Sequence, residues 1–151
     1  MTFIDTNVFV YLIDGRDPLK QSRARSIISD AFGCEKYMIS SQVLNEFANV
    51  ALKKFGVPSG RAARPAPPLG VPIEDVRRYV KRFSRICIVD QQHVWTDRAL
   101  QIKSNYGLQF YDSLLLATAE ASGCDEIYTE DLNDGQLYCG IKAVNPFGRA
   151  A

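Results

Sequence analysis

Short apolar segments alternate with longer helical segments along the chain, and this alternation restricts the possible folds more than any other feature. Candidate strands cover residues 2–5, 37–40, 86–89 and 126–129, with a weaker one at 141–144. Helical periodicity, capping residues and glycine stops predict helices over residues 6–14, 21–32, 41–55, 73–83, 94–105 and 109–122. Strands that alternate with helices are typical of an α/β fold, with a parallel sheet covered by helices on both faces.

The length and punctuation of the chain predict one domain. A chain of 151 residues suits a single domain, 1–151, with a sizeable core. Residues 56–72 carry five prolines and three glycines, which predicts a long loop within that domain. No apolar run approaches the ~20 residues of a membrane span, and the first residues do not resemble a secretory signal. We therefore expect a cytoplasmic protein that does not associate with membranes.

Four carboxylates fall at positions where the pattern predicts burial or a strand end. They are Asp5 after the first strand, Glu46 and Asp112 on apolar helix faces, and Asp131 after the strand at 126–129. The carboxyl ends of parallel strands meet at one edge of a sheet, where ligands bind. Converging acids without matching bases repel each other, and a divalent cation is the simplest compensation. The pattern indicates a metal centre able to hydrolyse phosphate esters.

Each of these acids also has an ordinary structural interpretation. Asp5 can cap a helix, and Glu46 can reach water from the edge of an apolar stripe. Asp131 can belong to the turn that follows it. Asp112 can interact favourably with the helix dipole in the first turn, although the dipole does not explain its place on the inward face. The functional interpretation is favoured for Asp112 and stays open for each of the others alone.

Charge is distributed unevenly along the chain, although the formal net charge is only +1. Residues 53–85 contain nine bases and two acids, whereas residues 107–135 contain seven acids and no base. A surface that binds a polyanion in the first segment and a metal site in the second would explain the asymmetry. Solvated helix faces explain it equally well. Candidate phosphate contacts are Arg64, Arg77, Arg78, Lys81 and Arg82.

Other metal and nucleophile chemistry has little support. The four cysteines form no Cys-x-x-Cys pair, and the chain has a single histidine, His93. This composition argues against a zinc site and against catalysis based on histidine.

Four ordered motifs together resemble the PIN domain. They are Phe3-Ile4-Asp5-Thr6-Asn7-Val8, Ser40-Ser41-Gln42-Val43-Leu44-Asn45-Glu46-Phe47, Tyr111-Asp112-Ser113-Leu114-Leu115-Leu116-Ala117-Thr118-Ala119 and Tyr128-Thr129-Glu130-Asp131-Leu132. Each motif alone is weak, but the set at these separations is specific, and the resemblance covers nearly the whole chain. More narrowly, the chain is similar to the VapC-type ribonuclease toxins of bacterial toxin–antitoxin pairs. It departs from them in the proline-rich segment 56–72.

The resemblance implies both a fold and an activity. The fold would be a three-layer α/β/α PIN-like domain with a short, doubly wound parallel sheet of four to five strands. The activity would be that of a Mg²⁺- or Mn²⁺-dependent endoribonuclease, the toxin of a type II pair, and a homodimer. Its partners would be RNA, such as tRNA or another structured RNA, and a small antitoxin protein. The family's acids carry over to Asp5, Glu46, Asp112 and Asp131 as catalytic and metal-binding residues, with polar support from the side chains of Thr6, Asn7 and Thr129.

Two other functions are alternatives to this one. Haloacid dehalogenase-like phosphatases also begin with an aspartate at a strand end, but they need a second aspartate two residues later, where this chain has Asn7. A PIN-like module that binds RNA or protein without cutting stays open. Metal-dependent turnover would separate it from the nuclease.

Overall fold

A computed structural model describes residues 1–54 and 71–148 of the chain. The strands are β1 (Thr2–Ile4), β2 (Tyr37–Ser40), β3 (Cys87–Val89), β4 (Glu126–Tyr128), β5 (Leu137–Tyr138) and β6 (Ile141–Val144). The helices are α1 (Thr6–Val10), α2 (Pro18–Ala31), α3 (Ser41–Lys54), α4 (Ile73–Phe83), α5 (Trp95–Tyr106) and α6 (Phe110–Ala121). Most of the predicted loop at 56–72, with Arg64, lies outside the described residues.

The sheet has the strand order β3-β2-β1-β4-β6-β5. All neighbouring strands are parallel except β5 and β6, which are antiparallel. The chain winds outward from β1 to β2 and β3, then returns to place β4 on the other side of β1. The order therefore reverses between β1 and β4, the point where open α/β sheets bind ligands. The predicted doubly wound parallel sheet flanked by helices is confirmed.

Three local features differ from the sequence prediction. The sheet has six described strands, because the two-residue β5 pairs with β6 at an edge and is too short to leave a sequence pattern. Helix α2 begins at Pro18, where proline suits the first helical position, and the Asp17 carboxylate accepts hydrogen bonds from Leu19 N and Lys20 N. Helix α1, with Asp5 as its N-cap, ends at Val10 and is therefore shorter than the predicted helix over residues 6–14.

Aromatic side chains join three helices in the core. The ring of Phe83 on α4 lies 4.6 Å from that of Phe9 on α1 and 4.9 Å from that of Phe47 on α3, both edge to face. All three side chains are fully buried. Edge-to-face pairs add about 0.5–1.5 kcal/mol beyond the burial of their area. This cluster holds α1 and α3, which follow β1 and β2 directly, in a fixed relation to each other.

No helix in the described parts of the chain is long and apolar enough to cross a membrane. The four cysteines are free, and Cys124 is buried.

Replacement of Phe83 by alanine is expected to lower the free energy of unfolding by about 3–5 kcal/mol, since it leaves a cavity between three helices. Urea denaturation of the purified variant measures this loss. Leu19→Ala is the control, because Leu19 is 84% exposed and its truncation should cost less than about 0.5 kcal/mol. Equal losses in the two variants would contradict the assigned core.

Candidate active site

The site is built around a buried carboxylate at the point where the strand order reverses. Asp5 directly follows β1 and is 4% exposed. Its backbone N–H still donates to the carbonyl of Tyr128 on β4, at 3.0 Å. The Asp5 side chain accepts from Thr6 N at 2.6 Å and from Thr129 Oγ1 at 2.7 Å. The Asp5 carboxylate therefore caps α1 and also joins the ends of the two central strands.

The Asn7 amide connects this carboxylate to the segment after β4. Its Nδ2 lies 3.3 Å from Asp5 Oδ2, 3.4 Å from Thr129 Oγ1 and 3.1 Å from Asp131 Oδ2. Thr129 Oγ1 also accepts from the backbone N–H of Asp131, at 3.1 Å. The Asn7 Oδ1 atom is buried and has no hydrogen-bond partner in the described structure. Asn7 thus orients two carboxylates and leaves one acceptor oxygen available.

Glu46 reaches the same place from α3. Thr6 Oγ1 donates to Glu46 Oε2 at 2.8 Å, and Gln42 Nε2 donates to Glu46 Oε1 at 2.7 Å. Gln42 lies one helical turn before Glu46, so residues of α1 and α3 together hold the carboxylate. The link between Thr6 and Glu46 extends the network that starts at Asp5.

Asp112 completes the set from the first turn of α6. It is half-buried and accepts no hydrogen bond from the described residues, unlike the other three acids. All four predicted carboxylates line one cleft of about 340 Å³, together with Thr6 and Asn7. Residues far apart in the chain thus meet in one cleft.

The position of Glu130 separates it from the acids of this cleft. Its carboxylate accepts from Tyr11 Oη at 2.6 Å and forms a salt bridge with Lys20 on α2. Lys20 also lies 5.0 Å from the centre of the Tyr11 ring. Successive side chains at a strand end point to opposite sides, so Glu130 is turned away from Thr129 and Asp131.

Burial and like charge raise the pKa values of two of the acids. Desolvation, helped by the charges of Asp131 and Glu46, raises the pKa of Asp5 to about 7, although the hydrogen bonds from Thr129 and Thr6 act to lower it. Desolvation also raises the pKa of Asp112, again with contributions from Asp131 and Glu46. The carboxylates therefore interact with one another across the cleft. A cation placed among them would relieve this repulsion.

The donor set suits a hard divalent cation held partly through water. Carboxylate and amide oxygens are the ligands that Mg²⁺ and Mn²⁺ prefer, and Asn7 Oδ1 is an unused acceptor beside them. Within residues 1–54 and 71–148, however, no three His, Cys, Asp or Glu side chains are close enough to hold a metal together. Mg²⁺ usually keeps several waters and needs only one or two carboxylates plus substrate phosphates. The fit is therefore to a hydrated ion.

The predicted phosphate contacts on α4 lie outside this cleft. Arg77 pairs with Glu74 and Arg78 pairs with Asp75 on the surface of α4. Arg78 and Arg82 line a separate cavity of about 550 Å³. Lys81 lies on the exposed face of the same helix. Arg64 falls outside the described residues.

Sequence reasoning missed several residues that line or support the cleft. Gln42 steadies Glu46, Tyr11 lines the cleft, and Asp14 and Arg16 lie at its border. Asp14-Gly15-Arg16 follows a short helix, and the two opposite charges in this turn were the only signal that could have marked them. Whether these residues line the cleft depends on contacts between segments that are distant in the sequence.

The PIN domain family model matches residues 2–133. A toxin–antitoxin complex from Klebsiella pneumoniae has a TM-score of 0.65 and 20% identity, covering 97% of this chain and 98% of that chain. VapC20 from Mycobacterium tuberculosis, described as a toxin that cleaves the sarcin–ricin loop, has a TM-score of 0.63 and 15% identity, with coverages of 87% and 90%. DNA-bound VapBC from Salmonella typhimurium has a TM-score of 0.59 and 20% identity, with coverages of 94% and 95%. No curated protein sequence matches the chain. At these identities the structural similarity shows the fold alone.

The raised pKa of Asp5 predicts that the metal-free protein loses stability as the pH rises. The folded state keeps the Asp5 proton up to a pH of about 7, whereas the unfolded chain releases it near its ordinary pKa of about 3.9. Unfolding therefore releases a proton between these values, and the free energy of unfolding falls by roughly 2–3 kcal/mol between pH 5 and pH 8.

Asp5→Asn should flatten this dependence, because asparagine has no proton to lose over that range. Urea denaturation at several pH values in EDTA measures the slopes. Asp30→Asn is the matched control, since Asp30 is an exposed acid on α2, and its slope should equal that of the unaltered protein. Parallel slopes for all three proteins would overturn the assigned protonation of Asp5.

Proposed function

Because the chain belongs to the PIN domain family, we propose that it is a Mg²⁺- or Mn²⁺-dependent endoribonuclease that hydrolyses RNA phosphodiester bonds. The observation that carries this proposal is the convergence of Asp5, Glu46, Asp112 and Asp131 on one cleft. The charges of Asp131 and Glu46 raise the pKa values of Asp5 and Asp112, and acids that repel one another in this way are a poor arrangement for stability. They are a good arrangement for a centre that takes up a divalent cation. The overall fold agrees with that of known toxins of this family.

Asp5, Asp112 and Asp131 would hold the cation, and Glu46 would contribute directly or through water. A bound divalent cation polarises an attacking water and the phosphate oxygens. The protein's own side chains orient the carboxylates. Asn7 and Thr129 fix Asp5 and Asp131, while the Asp112 carboxylate, which has no hydrogen bond to the described residues, is available as an acceptor. Attack by water would give a 5′-phosphate and a 3′-hydroxyl.

The same proposal includes the protein's biological context. The structural relatives from Klebsiella pneumoniae and Salmonella typhimurium were solved as toxin–antitoxin assemblies, and we propose that this chain is the toxin of a type II pair. A small antitoxin would bind over the cleft. A homodimer is proposed as well, because Val94, Leu100 and Tyr111 expose apolar surface near α5 and the start of α6. The chain would bind the antitoxin, a second copy of itself and the RNA in the cytoplasm.

A non-catalytic PIN-like module that binds RNA or protein is the second candidate. The observation that favours it is the wide spacing of the acids, which form no ready-made group of three metal ligands in the described structure. A module of this kind would not need a metal for binding.

Asp112→Asn and Asp5→Asn are each expected to reduce RNA cleavage at least about 100-fold, since each removes a carboxylate from a centre that supplies several kcal/mol of transition-state stabilisation. Cleavage of end-labelled tRNA and other structured RNA by the purified proteins, in Mg²⁺, Mn²⁺ or EDTA, measures the effect. EDTA should abolish the activity of the unaltered protein.

Asp30→Asn is again the control and should cleave at the unaltered rate. Equal activity in the unaltered protein and either site variant would refute the assigned centre. If no RNA is cut and calorimetry detects no Mn²⁺ binding, the non-catalytic module is the better description. Mn²⁺ binding that Asp112→Asn weakens would support the metal site independently of turnover.

A further inference from the structure

Asp14 and Arg16 form an ion pair at the border of the cleft that contains the four carboxylates. The Asp14 side chain is 10% exposed, whereas that of Arg16 is 84% exposed. The pair therefore has an anchored acid on the inside and a base that faces solvent. Both residues line the same cleft as Asp5 and Asp112.

The contacts between the two side chains fix the plane of the guanidinium. Arg16 Nε donates to Asp14 Oδ1 at 2.8 Å, and Arg16 Nη2 donates to Asp14 Oδ2 at 2.6 Å. The backbone N–H of Arg16 also donates to Asp14 Oδ1, at 3.2 Å. The Nη1 amino group of Arg16 has no partner among the described residues. A guanidinium held along one edge presents its other edge in a defined direction, which suits a phosphate.

The stability that this ion pair contributes is too small to explain its presence. Ion pairs with an exposed partner are worth about 0–1 kcal/mol. The surroundings of the pair give a stronger reason, because every other described charged side chain that lines the cleft is an acid: Asp5, Asp14, Glu46, Asp112 and Asp131. A polyanion entering such a cleft is repelled unless a cation receives its phosphates. Among the described residues that line the cleft, Arg16 is the one base.

We propose that Arg16, oriented by Asp14, binds a backbone phosphate of RNA next to the acidic centre. This inference rests on the proposed function, since it takes RNA as the substrate of the same cleft. Arg16 would contact a phosphate that is not cut, so it would hold the RNA strand in register while the carboxylates act on the neighbouring linkage. Arg16 would give the cleft a positive charge that the basic residues of α4 do not supply, because the α4 residues lie outside the cleft.

Another pair in the same protein offers a matched control. Arg98 Nε and Nη2 donate to the two carboxylate oxygens of Glu120 at 2.7 and 2.8 Å, the same side-on geometry as in the Asp14–Arg16 pair. The Arg98–Glu120 pair joins α5 to α6 and does not line the acidic cleft. Arg98→Ala therefore removes the same charge and the same type of contact at a different place.

The first test measures RNA binding without cleavage. In an Asp112→Asn background with Mg²⁺ present, Arg16→Ala should weaken the binding of a fluorescently labelled single-stranded RNA about 10-fold by anisotropy, as expected for loss of a charge-assisted contact. The slope of log affinity against log salt should fall by about 0.7, the value for one phosphate contact on a single strand. Arg16→Lys should keep the slope, and Arg98→Ala should leave both quantities unchanged.

The second test uses cleavage in the otherwise unaltered protein. Arg16→Ala should raise KM with little change in kcat, because a contact to an uncut phosphate is made equally in the ground state and the transition state. Thermal unfolding and size-exclusion chromatography of each variant monitor the fold and the oligomeric state. If Arg16→Ala matches Arg98→Ala in affinity and salt slope, or acts by changing the oligomeric state, the phosphate site is overturned. RNA binding that depends on Arg16 in a protein that cuts no RNA would sustain this site while refuting the nuclease.

Discussion

The structure depends most on one buried carboxylate. Asp5 is fixed by hydrogen bonds from Thr6 N and Thr129 Oγ1, and its backbone is bound to β4. These contacts close the junction of β1, β4 and α1, from which hydrogen bonds continue through Asn7 to Asp131 and through Thr6 to Glu46. The cost is a desolvated acid beside other acids, which raises the Asp5 pKa to about 7. The same residue therefore ties the two strands together and carries an unfavourable charge, and a cation placed beside it would relieve the repulsion.

The topology explains why acids from four places in the sequence meet. Asp5 and Asp131 follow the two central strands, and Glu46 comes from the helix that starts where β2 ends. Asp112 enters in the first turn of α6. The Phe9, Phe47 and Phe83 cluster fixes α1 against α3, so the spacing between Asp5 and Glu46 is set by the core. Residues far from any chemistry thus determine the shape of the cleft.

Much of the fold and the acidic set could be predicted from sequence, because burial and periodicity are local signals. Alternating strands and helices revealed the parallel sheet, and charges on apolar faces marked Glu46 and Asp112. Other features depend on contacts between distant segments. The pairing of β5 with β6 and the use of Gln42 to steady Glu46 leave little trace in the local pattern. The roles of Asp14 and Arg16 as cleft-lining residues arise only when α1 and its turn meet α3 and α6.

The salt bridges of the acidic segment 107–135 have a consequence for the electric field of the protein. Glu130 is paired with Lys20, Glu120 with Arg98, and Asp125 with the N-terminal amine. Asp5, Glu46, Asp112 and Asp131 form no salt bridge with the described residues. Bases outside the segment thus offset three of its seven acids, whereas no described base offsets Asp112 and Asp131 in the cleft. Low-dielectric walls focus the field of such acids in a cleft, so the cleft would attract cations in preference to the paired acids outside it.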